Sequence, residues 1–221
     1  MIYILFALGA FILPGFLLFH DLRQDYRTSL IFKTLASLTF VILGLFGQTR
    51  QSGIYPGLIL WALICGLIGD ILLQVRHLYH ENMLLFFLGG GIFLLGHVFY
   101  IAALLLKLEG DFILPLLMGL TAAGIAAFRL HPLMKMSRTY RFMFIFYLVF
   151  VISFAAFACT YAFRKQTLSA IVTGAGALLF ASSDLILIYE MVSPKKHLYN
   201  NAVLLALYYL GQCLIALSLS V

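Results

Sequence analysis

The stretch LICGLIGDILLQV, residues 63–75, places the carboxylate of Asp70 inside a run of apolar residues and glycine. A second stretch, ALLFASSDLILIYE at residues 177–190, does the same with Asp184. A charged side chain at the centre of a membrane helix costs about 3 kcal/mol on insertion scales. Such residues are rare and usually functional, so the sequence poses one main question: what these two aspartates do.

The composition predicts an integral membrane protein. Of the 221 residues, 64% are hydrophobic and only 10% are charged, whereas a soluble domain is about half apolar and a quarter charged. The net charge of +6 is typical of short basic loops that set orientation in a membrane, and we expect no nucleic-acid partner. The three cysteines lie in apolar runs, which favours buried thiols over a disulfide or a metal site.

Eight apolar segments approach the length of about 20 residues that a helix needs to cross a bilayer. Only helices and closed barrels satisfy their backbone groups in lipid, so we predict an all-α membrane protein with a single membrane domain, residues 1–221. The first segment lacks the basic start of a signal peptide and is interpreted as a retained span. The segments are Ile2–Phe19, Leu30–Gly47, Pro56–Val75, Met83–Leu106, Phe112–Phe128, Phe142–Phe163, Leu168–Tyr189 and Asn201–Leu219.

The two halves of the chain resemble each other. DYR at 25–27, Asp70 and LGH at 95–97 match TYR at 139–141, Asp184 and LGQ at 210–212, at offsets of 114 or 115 residues. FILP occurs at both 11–14 and 112–115, an offset of 101. Four segments separate the copies, so the sequence predicts two parallel four-helix repeats, about 1–107 and 108–221.

Basic residues are unequally divided between the two sides of the predicted bundle. Loops after segments 1, 3, 5 and 7 carry ten, or nine if Lys33 lies within segment 2, against four in the other loops. The positive-inside rule therefore places the odd loops in the cytoplasm and both termini outside. The ten are Arg23, Arg27, Lys33, Arg76, Arg129, Lys135, Arg138, Arg141, Lys195 and Lys196, and the four are Arg50, Lys107, Arg164 and Lys165.

Both aspartates lie near the inner ends of their segments, roughly 8–9 Å deep at 1.5 Å per residue. Lys33 reaches a similar depth, and Tyr147 is its partner in the repeat. We therefore expect these four residues to line one polar chamber between the halves. A buried Asp–Lys pair could simply fix helix packing, but two aspartates at equivalent positions favour function, as a proton donor and an anion in acid–base catalysis.

Other polar residues within the segments are weaker candidates. His97 is expected ~22 Å from the inner end of segment 4, above the aspartates rather than beside them. Ser183 is interpreted as a helix hydrogen-bonder, since the G-x-S-x-G motif of serine hydrolases is missing. Three convergent ligands for zinc cannot be assembled, so we predict no metal. Glycines at 89–91 and in TGAGA at 173–177 are expected at close helix contacts.

The ordered set of motifs resembles the YhhN family of lysoplasmalogenase-like membrane proteins. The motifs are Lys33, GDILL at 69–73, the pattern Phe87, Gly90, Phe93, His97 and Tyr100, then Tyr147, FASSD at 180–184 and YYLGQCLI at 208–215. The resemblance implies a multi-pass hydrolase, which we expect in a bacterial inner membrane among membrane lipids. It would cleave the vinyl ether bond of a lysophospholipid, a lysoplasmalogen, without a cofactor. Asp70 and Asp184 would be catalytic, and the substrate-binding candidates are Lys33, Tyr147, His97, Tyr100, Ser183, Tyr208 and Gln212.

Two other functions fit parts of the sequence. Parallel repeats around polar residues also occur in transporters and lipid-binding proteins, although few Gly–Pro breaks are present to support moving helices. Intramembrane aspartyl proteases also use two aspartates, but GLIGD at 66–70 lacks their G-x-G-D spacing. Turnover of defined substrates would separate these three classes.

The charge count gives a testable topology. Reporter domains fused at Val221 and inserted in the loop between Arg129 and Arg141 should report opposite sides of the membrane, with the loop in the cytoplasm and the C-terminus outside. An alkaline phosphatase and a fluorescent protein at each position give complementary signals. A cytoplasmic signal at Val221 would contradict the orientation.

Overall fold

A computed structural model describes residues 2–193 and 198–221, and the side chains of residues 4–193 and 200–221. Lys195 and Lys196, which the charge count assigns to the loop after segment 7, lie outside the described residues, as does His197. The described residues form helices and no strand. Eight of these helices are long and apolar enough to cross a membrane, which confirms the predicted all-α class and the number of spans.

Each predicted segment corresponds to one helix. Helix α1 covers residues 2–22 and is interrupted by a π-helical turn at Leu8–Ile12. Helices α3 and α7 continue three residues beyond the predicted ends of their segments, because a helix keeps its form where it leaves the apolar core and acquires polar side chains. The other helices are α2 Tyr26–Gln48, α3 Ile54–Leu78, α4 Met83–Leu108, α5 Ile113–Leu130, α6 Arg138–Lys165, α7 Leu168–Val192 and α8 Leu198–Leu217.

Polar side chains cap the first turns of four helices. Asp25 accepts a hydrogen bond from the Thr28 backbone N–H at the start of α2, and hydrogen bonding by Thr28 lowers the pKa of this carboxyl. Asn82, Ser137 and Thr167 cap α4, α6 and α7 in the same way. These caps satisfy N–H groups that a helix leaves free at its start, and they fix where each span begins.

Consecutive helices within each half pack against each other, whereas α4 and α5, where the halves join in sequence, do not, and further contacts join the two halves. Helix α2 packs on α8, and α4 packs on α6. In the proposed repeat, α2 corresponds to α6 and α4 corresponds to α8. The α2–α8 contact is therefore the repeat counterpart of the α6–α4 contact. These two contacts agree with a parallel repeat, but α1 packs on α8 while the counterpart pair, α5 and α4, does not pack, and the repeat stays a prediction.

Aromatic and ionic contacts join neighbouring helix ends and loops at each end of the bundle. At one end, Tyr26 stacks on His77 with ring centres 5.0 Å apart, and Phe87 stacks on Tyr140 at 5.3 Å. We call this the basic end, formed by the loops at 23–25, 79–82 and 131–137. At the opposite end, Arg164 pairs with Asp111, and Lys165 Nζ lies 2.9 Å from Glu109 Oε1. The Lys165 hydrogen bond lowers the pKa of Glu109.

Helices α7 and α8 approach each other closely at a pair of glycines. A Cβ atom added to Gly211 would lie 2.8 Å from the Gly176 carbonyl oxygen and 2.8 Å from the Phe180 nitrogen. Backbone atoms cannot move aside as a flexible side chain can, so only glycine fits. This confirms the expectation of a close helix contact for the TGAGA stretch. At 89–91 only Gly89 makes such a contact, while Gly90 and Gly91 face open space.

Replacing Gly211 with alanine should therefore lower stability. Overpacking of this kind costs about 1–3 kcal/mol, which should lower the thermal unfolding midpoint of the protein in detergent. The matched control is Gly124→Ala in α5, where an added Cβ meets no atom within 4 Å. Equal midpoints for the two variants would show that the α7–α8 contact tolerates a side chain.

Candidate functional site

Asp70 is the centre of a buried polar cluster between α2, α3 and α8. Its side chain is nearly inaccessible, with 3% of the residue exposed. The Ser37 and Tyr208 hydroxyls both donate to Asp70 Oδ2, at 2.5 Å and 2.8 Å. The Lys33 ammonium lies 3.8 Å from Oδ1. One cation and two hydroxyl donors replace the water that this carboxylate loses on burial, so the cluster is built to hold an anion.

Helical spacing explains how this cluster forms. Lys33 and Ser37 are four residues apart on α2 and share one face, as do Asp70 and Gln74 on α3. Gln74 accepts a 3.5 Å hydrogen bond from Lys33 and donates one of 2.9 Å to Asp21 near the end of α1. A continuous line of polar groups, Asp70–Lys33–Gln74–Asp21, therefore leads from the buried carboxylate to the basic end. We call it the polar line.

Asp184 is the centre of a second cluster, between α4, α6 and α7. It is 4% exposed, and its Oδ2 accepts a 2.7 Å hydrogen bond from the Tyr147 hydroxyl. The same oxygen lies 3.4 Å from His97 Nε2. Among the described residues, no lysine or arginine pairs with this carboxylate. The two aspartates therefore have chemically different surroundings, one cationic and one formed by a phenol and an imidazole.

The hydrogen bonds of His97 determine where its proton lies. Its Nδ1 is 2.9 Å from the Phe93 backbone oxygen, and a carbonyl oxygen can only accept, so Nδ1 must carry a hydrogen. In the neutral ring, Nε2 is then an acceptor, and it faces a carboxylate oxygen that also accepts. Nε2 has no other hydrogen-bond partner among the described residues. A proton between His97 Nε2 and Asp184 would remove the repulsion of two facing lone pairs.

The expected depth of His97 was wrong relative to the aspartates. His97 is indeed fourteen residues into α4, but it lies beside Asp184 rather than above it. Two effects reduce the expected difference in depth between His97 and Asp184. Side chains lean towards the N-terminus of their helix, and α4 and α7 run in opposite directions, so His97 and Asp184 lean towards each other. In addition, α7 ends at Val192, which places Asp184 about 12 Å deep rather than 8–9 Å.

Aromatic rings join the two clusters. The Phe180 ring stacks on His97 with centres 4.9 Å apart and packs against Tyr208 at 5.4 Å. Because His97 contacts Asp184 and Tyr208 donates to Asp70, this one ring lies between the two clusters. The contacts also recur at the repeat offset, since Lys33 approaches Asp70 and its counterpart Tyr147 approaches Asp184. The four residues predicted to meet thus form two adjoining clusters.

The expected polar chamber is replaced by direct packing of polar groups and an apolar cavity beside them. This cavity, of about 330 Å³, lies between α4, α6 and α7 in the half of the bundle near the basic end. Its wall is formed by aromatic and aliphatic side chains with Gly90 and Gly91, and it includes Tyr147 but neither aspartate nor Lys33. Tyr147 therefore lies between the cavity and Asp184.

The remaining predicted substrate-binding residues, Tyr100, Gln212 and Ser183, do not form hydrogen bonds with either aspartate. The Tyr100 hydroxyl donates to Gln212 Oε1 at 2.6 Å, so these two buried residues bond each other rather than an aspartate. Ser183 is buried, but adjacent helix positions point about 100° apart, and its hydroxyl is not joined to either carboxylate. Among the described residues, no group of three potential metal ligands comes together.

The sequence analysis missed three polar residues of the site. Ser37 and Gln74 follow Lys33 and Asp70 by one helical turn, so the four-residue spacing could have revealed them. Asp21 could not have been found this way, because its contact with Gln74 joins residues 53 positions apart.

Fold and site define a polytopic membrane protein with two buried carboxyl clusters and an adjoining apolar cavity. The model of the YhhN family matches residues 28–219, which is most of the chain and includes every member of both clusters. The protein belongs to the YhhN family. Searches of curated proteins and of solved structures gave no match.

The ion pair at Asp70 can be tested by stability alone. Lys33→Met should destabilise the protein by about 3 kcal/mol, because it leaves a buried carboxylate without its cation. The double variant Lys33→Met/Asp70→Asn should recover part of this loss, since no net charge then stays buried. Thermal unfolding in detergent compares the two variants with the wild-type protein. A double variant less stable than Lys33→Met would show that the two side chains are not coupled in this way.

Proposed function

We propose that the protein is a membrane hydrolase that cleaves the vinyl ether bond of lysoplasmalogens, releasing a fatty aldehyde and a glycerophospho-alcohol. The observation that carries the proposal is the contact of Asp184 with His97 and Tyr147 beside the Lys33-paired Asp70. It supplies a buried proton donor next to a buried anion. Membership of the YhhN family, which is associated with lysoplasmalogenase, supports the same reaction class.

Vinyl ether hydrolysis requires these two groups. The slow step is protonation of the vinyl carbon remote from oxygen, and it leaves a cation shared between the other carbon and the ether oxygen. A positioned acid accelerates the proton transfer, and a fixed anion stabilises the cation, as in glycosidases that use two carboxyl groups. The reaction consumes one water and regenerates the proton.

The surroundings of the two carboxyl groups suggest their roles. We assign the acid to Asp184, because the proton between its carboxyl group and His97 is the one that their facing acceptor atoms require. We assign the anion to Asp70, because Lys33, Ser37 and Tyr208 are arranged to hold it charged. This extends the sequence-based prediction, which left the two roles open.

The proposed reaction conserves protons over its steps. Asp184 gives its proton to the vinyl carbon, and the bound cation forms beside the Asp70 carboxylate. Water adds to the cationic carbon and passes one proton to Asp70. The resulting hemiacetal breaks its bond to the glycerol oxygen, which takes up the proton held by Asp70. The hemiacetal hydroxyl becomes the aldehyde carbonyl and returns its proton to Asp184.

The polar line indicates where the headgroup of the substrate binds. Lys33 is the cation nearest the carboxyl groups, and 14% of its side chain is exposed, so it is within reach of a phosphate. Gln74 and Asp21 continue from Lys33 towards the basic end. We propose that the glycerophospho-alcohol lies along this line. Lysines bind phosphate as point charges, so loss of Lys33 should weaken substrate binding and also slow the chemistry, because Asp70 loses the cation that keeps it charged.

The reaction is testable with purified protein in detergent. It should release fatty aldehyde from a lysoplasmalogen and leave the matching ester lysolipid intact, since ester cleavage needs an activated nucleophile or metal-bound water. Asp70→Asn and Asp184→Asn should each lower kcat at least ~100-fold, as expected for loss of a general acid or base. Aldehyde release is followed by a coupled dehydrogenase.

Asp111→Asn is the matched control. Asp111 is exposed and pairs with Arg164 at the opposite end from the clusters, so this variant should keep wild-type turnover. Size-exclusion profiles of all variants check that they fold. Wild-type turnover in both cluster variants would show that the aspartates only support packing. Equal cleavage of ester and vinyl ether would refute the proposed bond specificity, and substrate binding without aldehyde release would favour a transporter or binding protein.

A further inference from the structure

The apolar cavity beside Asp184 is lined almost entirely by hydrocarbon and aromatic side chains. Its walls come mainly from α4, α6 and α7, with Leu73 of α3, and two of the lining residues, Phe142 and Phe146, are 69% and 45% exposed on the outer surface of the bundle. A volume of about 330 Å³ is at the small end of the ~300–1,000 Å³ found for small-molecule pockets. It has room for a single chain rather than two.

The position of the cavity relative to the site is defined by Tyr147. Along α4 its wall extends from Phe86 to Leu94, eight residues or about 12 Å. Tyr147 lines the cavity, and its hydroxyl is already engaged with Asp184. A ligand in the cavity therefore meets hydrocarbon along its length and polar chemistry only where Tyr147 leads to Asp184.

Two glycines create the space on the α4 side. Cβ atoms added to Gly90 or Gly91 would meet no atom within 4 Å, although both residues line the cavity. In a membrane helix, glycine usually permits close contact between helices, as Gly89 does here against Leu73. Gly90 and Gly91 have no such neighbour, so packing does not account for the missing side chains, whereas the open space of the cavity does.

We propose that this cavity binds the single alkenyl chain of the substrate and that Gly90 and Gly91 set the chain length accepted. This inference rests on the proposed function, because it places the reactive end of the chain at Tyr147, next to Asp184. The chain reaches the cavity from the lipid phase through the gap beside Phe142 and Phe146. A lipid with two chains would leave one of them without a binding site, so the cavity selects lysolipids over two-chain lipids.

Filling the cavity should change chain-length preference without removing the chemistry. Gly91→Leu and Gly90→Leu should lower kcat/KM at least tenfold for a long-chain lysoplasmalogen and less than threefold for a short-chain one. Leu94→Ala, which enlarges the cavity, should shift the preference towards long chains. The matched control is Gly124→Leu, at an open position on α5 away from the cavity, which should leave both values unchanged.

A binding measurement keeps the inference separate from catalysis. The probe is an ester lysophosphatidylcholine with a photoreactive diazirine near the end of its acyl chain. It should label residues of α4, α6 and α7 that line the cavity, and Gly91→Leu should reduce that labelling at least fivefold while Gly124→Leu does not. Mass spectrometry of proteolytic fragments locates the adducts, and an unlabelled lysolipid should compete.

The outcomes distinguish the two proposals. Labelling in the cavity without aldehyde release from any lysoplasmalogen would preserve the chain site and overturn the proposed reaction. Aldehyde release with an unchanged chain-length profile in both leucine variants, or with labelling confined to other helices, would overturn the chain site and leave the reaction standing. If the leucine variants do not fold, the Leu94→Ala profile and wild-type labelling decide.

Discussion

The structure depends on the burial of two carboxyl groups in a bundle that offers them almost no water. Each is satisfied by side chains from other helices: Asp70 by Lys33, Ser37 and Tyr208, and Asp184 by Tyr147 and His97. An unpaired charge at this depth would cost several kcal/mol. These contacts therefore link α2, α3 and α8 in one cluster and α4, α6 and α7 in the other. The requirement to satisfy two carboxyl groups thereby helps to set which helices are neighbours.

The two clusters use one framework with different chemistry. Lys33 and Tyr147, 114 residues apart, each approach the aspartate of their own half. The second partner differs, since Tyr208 of α8 contacts Asp70 whereas His97 of α4 contacts Asp184. Two sites of similar geometry but unlike partners can hold their carboxyl groups in different protonation states. This asymmetry is what an acid–base reaction needs, and two identical clusters would not supply it.

Much of this arrangement could be predicted from the sequence. Membrane helices are recognised by their length and apolar composition, and an ionisable residue is easily seen within an apolar run. The eight helices, the close contact at TGAGA and the nearness of Lys33 to Asp70 and of Tyr147 to Asp184 followed from such signals. The depth of His97 did not, since counting residues along α4 ignores the lean of side chains in antiparallel helices. The apolar cavity could not be predicted either, because it depends on how far α4 and α6 separate.

The polar line also has an electrical consequence. Both aspartates lie about 12 Å from the basic end, and the described polar groups lead from Asp70 through Lys33 and Gln74 to Asp21 at that same end. Water and protons that reach the carboxyl groups along this line enter and leave on one face of the bilayer. A catalytic cycle supplied in this way transfers no net charge across the membrane, whereas a charge that crosses it exchanges about 2.3 kcal/mol per 100 mV with the field. Turnover in the proposed reaction would then be independent of the membrane potential.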